Sequence, residues 1–196
     1  MSAGLLPVMN VAALFTRPDS IYKSMGADCF DLERDARTFE LDRPVVAHPP
    51  CRAWSRLRAF AKPRPDEKDL ARWAVWVVRH CGGVLEHPSA SALFREAGLP
   101  TPGGSGRDAF GGWVLPLSQS WFGHRAEKRT WLYIVGIEPA AIPRMPLRLG
   151  EAERTCGLSS IRDRSRCRKE IGKSEREATP RAFAKFLLEL AAGCRT

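Results

Sequence analysis

Cys51 lies in the run His48-Pro49-Pro50-Cys51-Arg52-Ala53-Trp54-Ser55, directly after a short apolar run, Pro44-Val45-Val46-Ala47. The apolar run reads as a buried strand. The two prolines stop it and stiffen the turn, so the cysteine is presented at the strand's carboxyl end. In open α/β sheets that edge is where ligands bind. A thiol acts as a nucleophile once ionised, and a free cysteine is mostly protonated at neutral pH, so nearby positive charge must favour its ionised form. Arg52, Arg56, Arg125 and Arg129 are candidates for that field. The plain alternative is that Cys51 is a small buried hydrophobe, a common use of cysteine.

Two further stretches carry polar groups in a similar setting. Val84-Leu85-Glu86-His87-Pro88 follows a helical pattern and reads as a strand ending in a carboxylate. Phe122-Gly123 leads into Glu127-Lys128-Arg129 and then into the apolar run Trp131-Leu132-Tyr133-Ile134-Val135-Gly136. In this order and spacing the three segments resemble the DNA cytosine-5 methyltransferases, over about residues 8 to 136. That family has a nucleophile loop of Pro-Cys, two variable residues, an aromatic and Ser. It also has a strand ending in Glu-Asn-Val, then an aromatic-Gly pair, Gln-Arg-Arg and a strand ending in Val-Gly. Counted back from Gly136, Glu127 takes the Gln place and Arg129 the second Arg place. Order, spacing and strand context agree for all three segments.

The resemblance implies a definite chemistry. Cys51 would add as a thiolate to carbon 6 of a cytosine and make carbon 5 nucleophilic. Glu86, kept protonated or sharing a proton, would hold ring nitrogen 3. Arg129 would fix the base and the nearby backbone. The base must be flipped or single-stranded to be reached. The implied cofactor is S-adenosylmethionine, with Phe15, Asp31, Pro49 and Thr179 at the matching positions, and no metal is implied. Ser55, Arg52, Arg125, Lys128, Arg164 and Arg166 are the residues expected to meet DNA. His48, His87 and His124 lie inside or beside a motif, where a histidine relays protons, contacts phosphate or simply packs.

Departures from the family pattern keep other readings open. After its first strand the family has Asp-Leu-Phe-x-Gly-x-Gly-Gly, whose glycines let the backbone approach the cofactor. Here the stretch is Ala12-Ala13-Leu14-Phe15-Thr16-Arg17-Pro18-Asp19, with no glycine. Asp31, Glu33 and Asp35 are either a ribose ligand and its neighbours or surface charges. His87 replaces an asparagine and Glu127 a glutamine. Only about forty residues separate Gly136 from the last helix, too few for a separate target-recognition domain. The alternatives are a degenerate methyltransferase fold that binds DNA or serves as a partner subunit, and a base-modifying transferase that uses another donor. A metal site built from His48, Cys51, His87 and His124 is a further one, although their spacing matches no common zinc pattern.

Composition and pattern define the elements that must position these residues. The 196 residues carry a net charge of +9, which favours polyanionic partners such as DNA. Other DNA-modification proteins are conceivable partners, and a small chain of this kind suits a phage or mobile element. No apolar run is long enough for a membrane span, and the first residues lack a secretory pattern. The expected location is therefore cytoplasmic, with six reduced cysteines. Strand-like runs at Val8–Phe15, Asp28–Leu32, Pro44–Ala47 and Gly83–Leu85 alternate with helical ones. These predict a single α/β, Rossmann-like domain over residues 1–196 with a mostly parallel sheet flanked by helices. The clearest helix is Asp66–His80, with Leu70, Trp73, Ala74, Val77 and Val78 on one face. A Gly- and Pro-rich stretch at 98–112 predicts a mobile surface loop, and residues 151–177 a basic, flexible insert. A final helix is expected from Thr179-Pro180, with the threonine as cap and Phe183, Phe186, Leu187 and Leu190 facing the core.

Overall fold

The computed structural model describes residues 10–56, 58–104, 106–146, 148, 150–156 and 169–195. In chain order its elements are β1 (Ala12–Leu14), α1 (Ile21–Ser24), β2 (Asp28–Phe30), β3 (Val45–Ala47), α2 (Glu67–Cys81), β4 (Gly83–Pro88), α3 (Ala92–Glu96), β5 (Trp113–Ser118), β6 (Ala126–Glu127), β7 (Arg129–Val135), β8 (Arg154–Thr155), α4 (Lys173–Glu177) and α5 (Arg181–Ala192). The main sheet has the order β2-β1-β3-β4-β7-β5. β2, β1, β3 and β4 pair in parallel, while β7 runs antiparallel to both β4 and β5. The protein is thus α/β, with a mostly parallel central sheet flanked by helices. β6 and β8 form a separate parallel pair. No helix among the described residues is long and apolar enough to cross a membrane.

The central strands are short and apolar on both faces, as strands covered on both sides must be. Alternation divides them cleanly. Leu14, Val45, Ala47 and Leu85 face a core closed by α2 and α3, together with Trp54, Phe30 and Phe39. Ala13, Val46, Val84, Leu132 and Ile134 face the opposite core, closed by α5 and Tyr22 of α1. Of the expected face of α2, Leu70, Ala74, Val77 and Val78 are buried and Trp73 packs half-buried against the same core, while Ala71 and Val75 are buried beside them. Phe183, Phe186, Leu187 and Leu190 of α5 are buried as expected. α5 starts one residue later than its sequence implied. Pro180 occupies the cap position, and no side chain caps the helix.

The end of the Gly- and Pro-rich stretch is anchored through Asp108. Its carboxylate accepts hydrogen bonds from Tyr133 Oη (2.7 Å) and Arg79 Nη2 (2.8 Å), and from the backbone N–H groups of Phe110 (3.0 Å) and Gly112 (2.9 Å). Within the segment of the basic insert, Thr155 bridges to Glu170, and α4 follows. Arg164 and Arg166 lie outside the described residues.

β3 and β4 approach very closely at the start of β4. Gly82 and Gly83 have φ of +73° and +118°, and a side chain at Gly83 would collide with the backbone of Val45. Gly83→Ala should therefore lose about 3 kcal/mol or more from strain plus overpacking. Gly98→Ala, at φ +61° with open space around it, should lose only about 1 kcal/mol. Urea unfolding midpoints check this, and equal losses would show that the β3–β4 approach is not tight.

Candidate active site

The register of β3 and β4 creates the site. Ala47 lies beside Leu85, so the next residues, His48 and Glu86, fall side by side at the carboxyl ends of both strands. Period-two alternation turns both toward the α5 face, with Val46 and Val84. His48 Nδ1 meets Glu86 Oε2 at 3.0 Å, and His48 Nε2 meets the hydroxyl of Tyr22 at 2.8 Å. Ser20 caps α1 by accepting from the Tyr22 N–H, which sets Tyr22 within the first turn.

The second carboxylate oxygen has an equally definite partner. Gln119 Nε2 donates to Glu86 Oε1 and to Thr130 Oγ1, both at 3.1 Å. The Thr130 hydroxyl spends its one hydrogen on the carbonyl of Lys128 (3.3 Å), so it can only accept from Gln119. That fixes which way round the amide sits and aims an N–H at Glu86. Gln119 Oε1 is buried without a partner. Burial pushes the Glu86 carboxyl up. The His48 hydrogen bond, with the pull of His48, Lys128 and His87, outweighs this and holds it at about 2. In the free site Glu86 is thus an ionised acceptor in a hydrogen-bonded pair with His48.

Cys51 follows the two prolines on a tight turn. Its carbonyl accepts from Trp54 N–H (3.0 Å) and Ser55 N–H (2.8 Å), and the fully buried Trp54 anchors the turn in the α2-side core. Arg52 clamps the loop to α2 through the buried carboxylate of Glu67. The half-buried thiol is pushed up, first by burial and then by the Glu86 charge; Lys128 is the cation that opposes them. Of the four arginines expected to supply that field, three are engaged by carboxylates and Arg56 is exposed. Arg52 is engaged by Glu67, Arg125 pairs with Glu175 (3.0 Å) and Arg129 with Glu127 (2.7 Å).

Lys128 and Arg129 have exchanged places relative to the expectation. Trp131 faces the α2-side core and Leu132 the α5-side core, so alternation sends Arg129 to the face opposite Glu86. There Arg129 is 72% exposed. Lys128 falls on the Glu86 side, half-buried, with Nζ 3.5 Å from the carbonyl of Ala178. Ser55 is half-buried beside the Cys51 turn. Tyr22, Gln119 and Thr130 were missing from the sequence reading. The alternation of Val46-Ala47-His48 against Val84-Leu85-Glu86 could have paired His48 with Glu86, but nothing local marks Gln119.

Carboxyl ends on either side of β1 and β3 form the switch point where an α/β sheet binds its cofactor. The residues there do not fit S-adenosylmethionine. Phe15 adopts φ +61° and packs edge-on against Trp73, with ring centroids 5.9 Å apart. Arg17 is bound to Asp19 (2.8 Å) and lies 3.8 Å from Glu177 of α4. Asp31, the expected ribose ligand, is already committed to Lys23 (2.6 Å) and to the N–H groups of Glu33 and Arg34. Asp35 is committed to Arg37. Pro49 is buried, and Thr179 is half-buried next to the α5 start. The four histidine and cysteine candidates for a metal are dispersed. His87 turns into the α2-side core, and His124 is held between Ala126 and the carbonyl of Glu175 (3.3 Å). No metal-ligand cluster occurs among the described residues.

Compared with known protein families and with characterised proteins, the chain matches none.

His87 supplies a pH test. It is fully buried with neither ring nitrogen partnered, and burial pushes it down to about 4 against a weaker opposing pull from Glu86. A histidine with a lowered folded value contributes stability that is complete above its unfolded value of about 6.5 and is lost as pH falls toward 4. Wild type should lose about 3 kcal/mol over that interval from this group. His87→Leu should flatten that part of the stability–pH curve in chemical denaturation. An unchanged slope would show that His87 is not buried neutral.

Proposed function

We propose that the protein is a cytosine-5-methyltransferase-like enzyme that modifies a pyrimidine base in DNA through a covalent adduct between Cys51 and ring carbon 6. The observation that carries this reading is that the Cys51 loop and the hydrogen-bonded Glu86 carboxylate leave the carboxyl ends of adjacent parallel strands, where the Glu86 charge opposes ionisation of the thiol. The Cys51 proton leaves to solvent, with Lys128 favouring the thiolate. Sulfur then bonds to carbon 6. The carbon 5–carbon 6 π pair shifts toward carbon 4, ring nitrogen 3 takes a proton through Glu86, and carbon 5 becomes an enamine carbon. After carbon 5 takes up its new group it gives up its hydrogen as a proton, and sulfur departs to restore the ring. S-adenosylmethionine is the donor the resemblance implies. The residues at the switch point do not fit it, and the addition step itself needs no donor.

DNA as the substrate is supported by the loop that continues from Cys51. Arg56, Arg58, Lys62 and Arg64 are all exposed there, and Phe60 among them is 87% exposed. Exposed cations with an unburied aromatic suit phosphates and an unstacked base.

An oligonucleotide carrying 5-azacytosine tests the reading, because ring nitrogen 5 accepts a proton where carbon 5 would take a group, so trapping needs no donor. Intact mass should show a one-to-one adduct with wild type and none with Cys51→Ser. Lys128→Ala should slow trapping roughly tenfold, the scale of losing one charge beside a thiolate, whereas Arg129→Ala should stay within about threefold of wild type. No wild-type adduct with single-stranded or duplex DNA would overturn the reading and favour a binding-only role.

A further inference from the structure

The addition step needs a proton at ring nitrogen 3 under conditions in which Cys51 is a thiolate. Those two demands conflict if Glu86 acts alone. A carboxyl held near 2 is empty of protons wherever a thiol pushed above its ordinary range has begun to ionise. The proton must therefore come from a group behind Glu86. Glu86 Oε1 is closed to this role, because Gln119 can only donate to it. Glu86 Oε2 faces His48 Nδ1 at 3.0 Å, and imidazole is the side chain that exchanges protons near neutrality.

We infer that His48, backed by Tyr22, supplies the proton that Glu86 passes to ring nitrogen 3 as Cys51 adds to carbon 6. This inference rests on the pyrimidine-modifying reading of the site. Because His48 acts through Glu86, it is a positioning residue. The transfer balances simply. The His48 Nδ1–H bond breaks as a bond forms from that hydrogen to Glu86 Oε2, and the carboxyl then gives a proton to nitrogen 3. The imidazole keeps its Nε2–H, which the Tyr22 hydroxyl oxygen accepts at 2.8 Å, and solvent reloads the ring after release. Tyr22 stays a neutral phenol throughout, since burial, then the charge of Glu86 and that of Cys29, push its hydroxyl well above its ordinary range. The charged and titratable groups facing the Glu86–His48 pair are Tyr22 from α1, Cys51 from the β3 loop, and Lys128 from the segment before β7. His87 acts from the other face of β4, and Glu177 of α4 acts on Cys51. Gln119 and Thr130 are neutral at any working pH.

The test is the single-turnover rate of 5-azacytosine trapping between pH 5.5 and 9 in wild type, His48→Gln and Tyr22→Phe. In wild type the rate should rise as the thiol ionises and fall at higher pH as the relay behind Glu86 can no longer supply a proton. In His48→Gln the falling limb should move at least one pH unit toward acid. Its rate at pH 8 should drop tenfold or more, while that at pH 5.5 stays within about threefold of wild type. Tyr22→Phe should shift the same limb in the same direction by less, and carries the test alone if His48→Gln does not fold. A uniform loss at every pH, with the wild-type profile shape kept in the variants, would make these residues purely structural and overturn the inference while leaving Cys51 as nucleophile. Absence of any wild-type adduct would instead overturn the reading beneath it.

Discussion

One constraint underlies the site: the parallel register of β3 against β4, locked where Gly83 meets the backbone of Val45. A slip of one residue would turn either His48 or Glu86 to the other face of the sheet. With the register set, two residues leave their strands at the same level and on the same side. The prolines at 49 and 50 then stiffen the turn that carries Cys51. The buried Trp54 and the Arg52–Glu67 contact hold that turn against α2 from the opposite side.

Around this frame the electrostatics divide the labour between two neighbouring groups. Burial raises both the Cys51 thiol and the Glu86 carboxyl, but only for the carboxyl do hydrogen bonding and nearby positive charge outweigh it. Glu86 keeps its charge and, by keeping it, makes the thiol harder to ionise. Lys128 is the counterweight, since it lowers both groups. The free site therefore rests with the nucleophile disfavoured, and a polyanionic substrate would not by itself improve that. In the proposed reaction, protonation of Glu86 by His48 removes the charge that opposes the thiolate until that proton passes to the base, which links the two halves of the addition step.

Much of this was legible from residue types and period. The strand character of Val45–Ala47 and of the run beginning at Val84, the helix around Leu70–Val78 and the core stripe of α5 all follow from apolar spacing. So does the placement of Cys51 at a strand end. The exchange of Arg129 for Lys128 was not legible, because it depends on where β7 begins to alternate. Matching motifs by counting from Gly136 carries no information about faces. β5 was also unread: Trp113–Ser118 contains Pro116 and borders a Gly-rich stretch, which hides a strand. With β5 unread, Gln119 had no position, and the carboxylate's second partner could not be found. The pinned loop at Asp108 was masked in the same way, since its anchors, Arg79 and Tyr133, are distant in sequence.

The central claim is that Cys51 and Glu86 together make carbon 5 of a DNA pyrimidine nucleophilic, whatever group it later receives. Exchange of the carbon 5 hydrogen with solvent reads this most directly, because it requires reversible thiolate addition and no donor. DNA containing unpaired cytosine, incubated with the protein in D2O and digested to nucleosides, should acquire deuterium at carbon 5. Exchange should be lost in Cys51→Ser and strongly reduced in Glu86→Gln. Exchange that persists in Cys51→Ser, or none with wild type on single-stranded and mismatched substrates alike, would contradict the account.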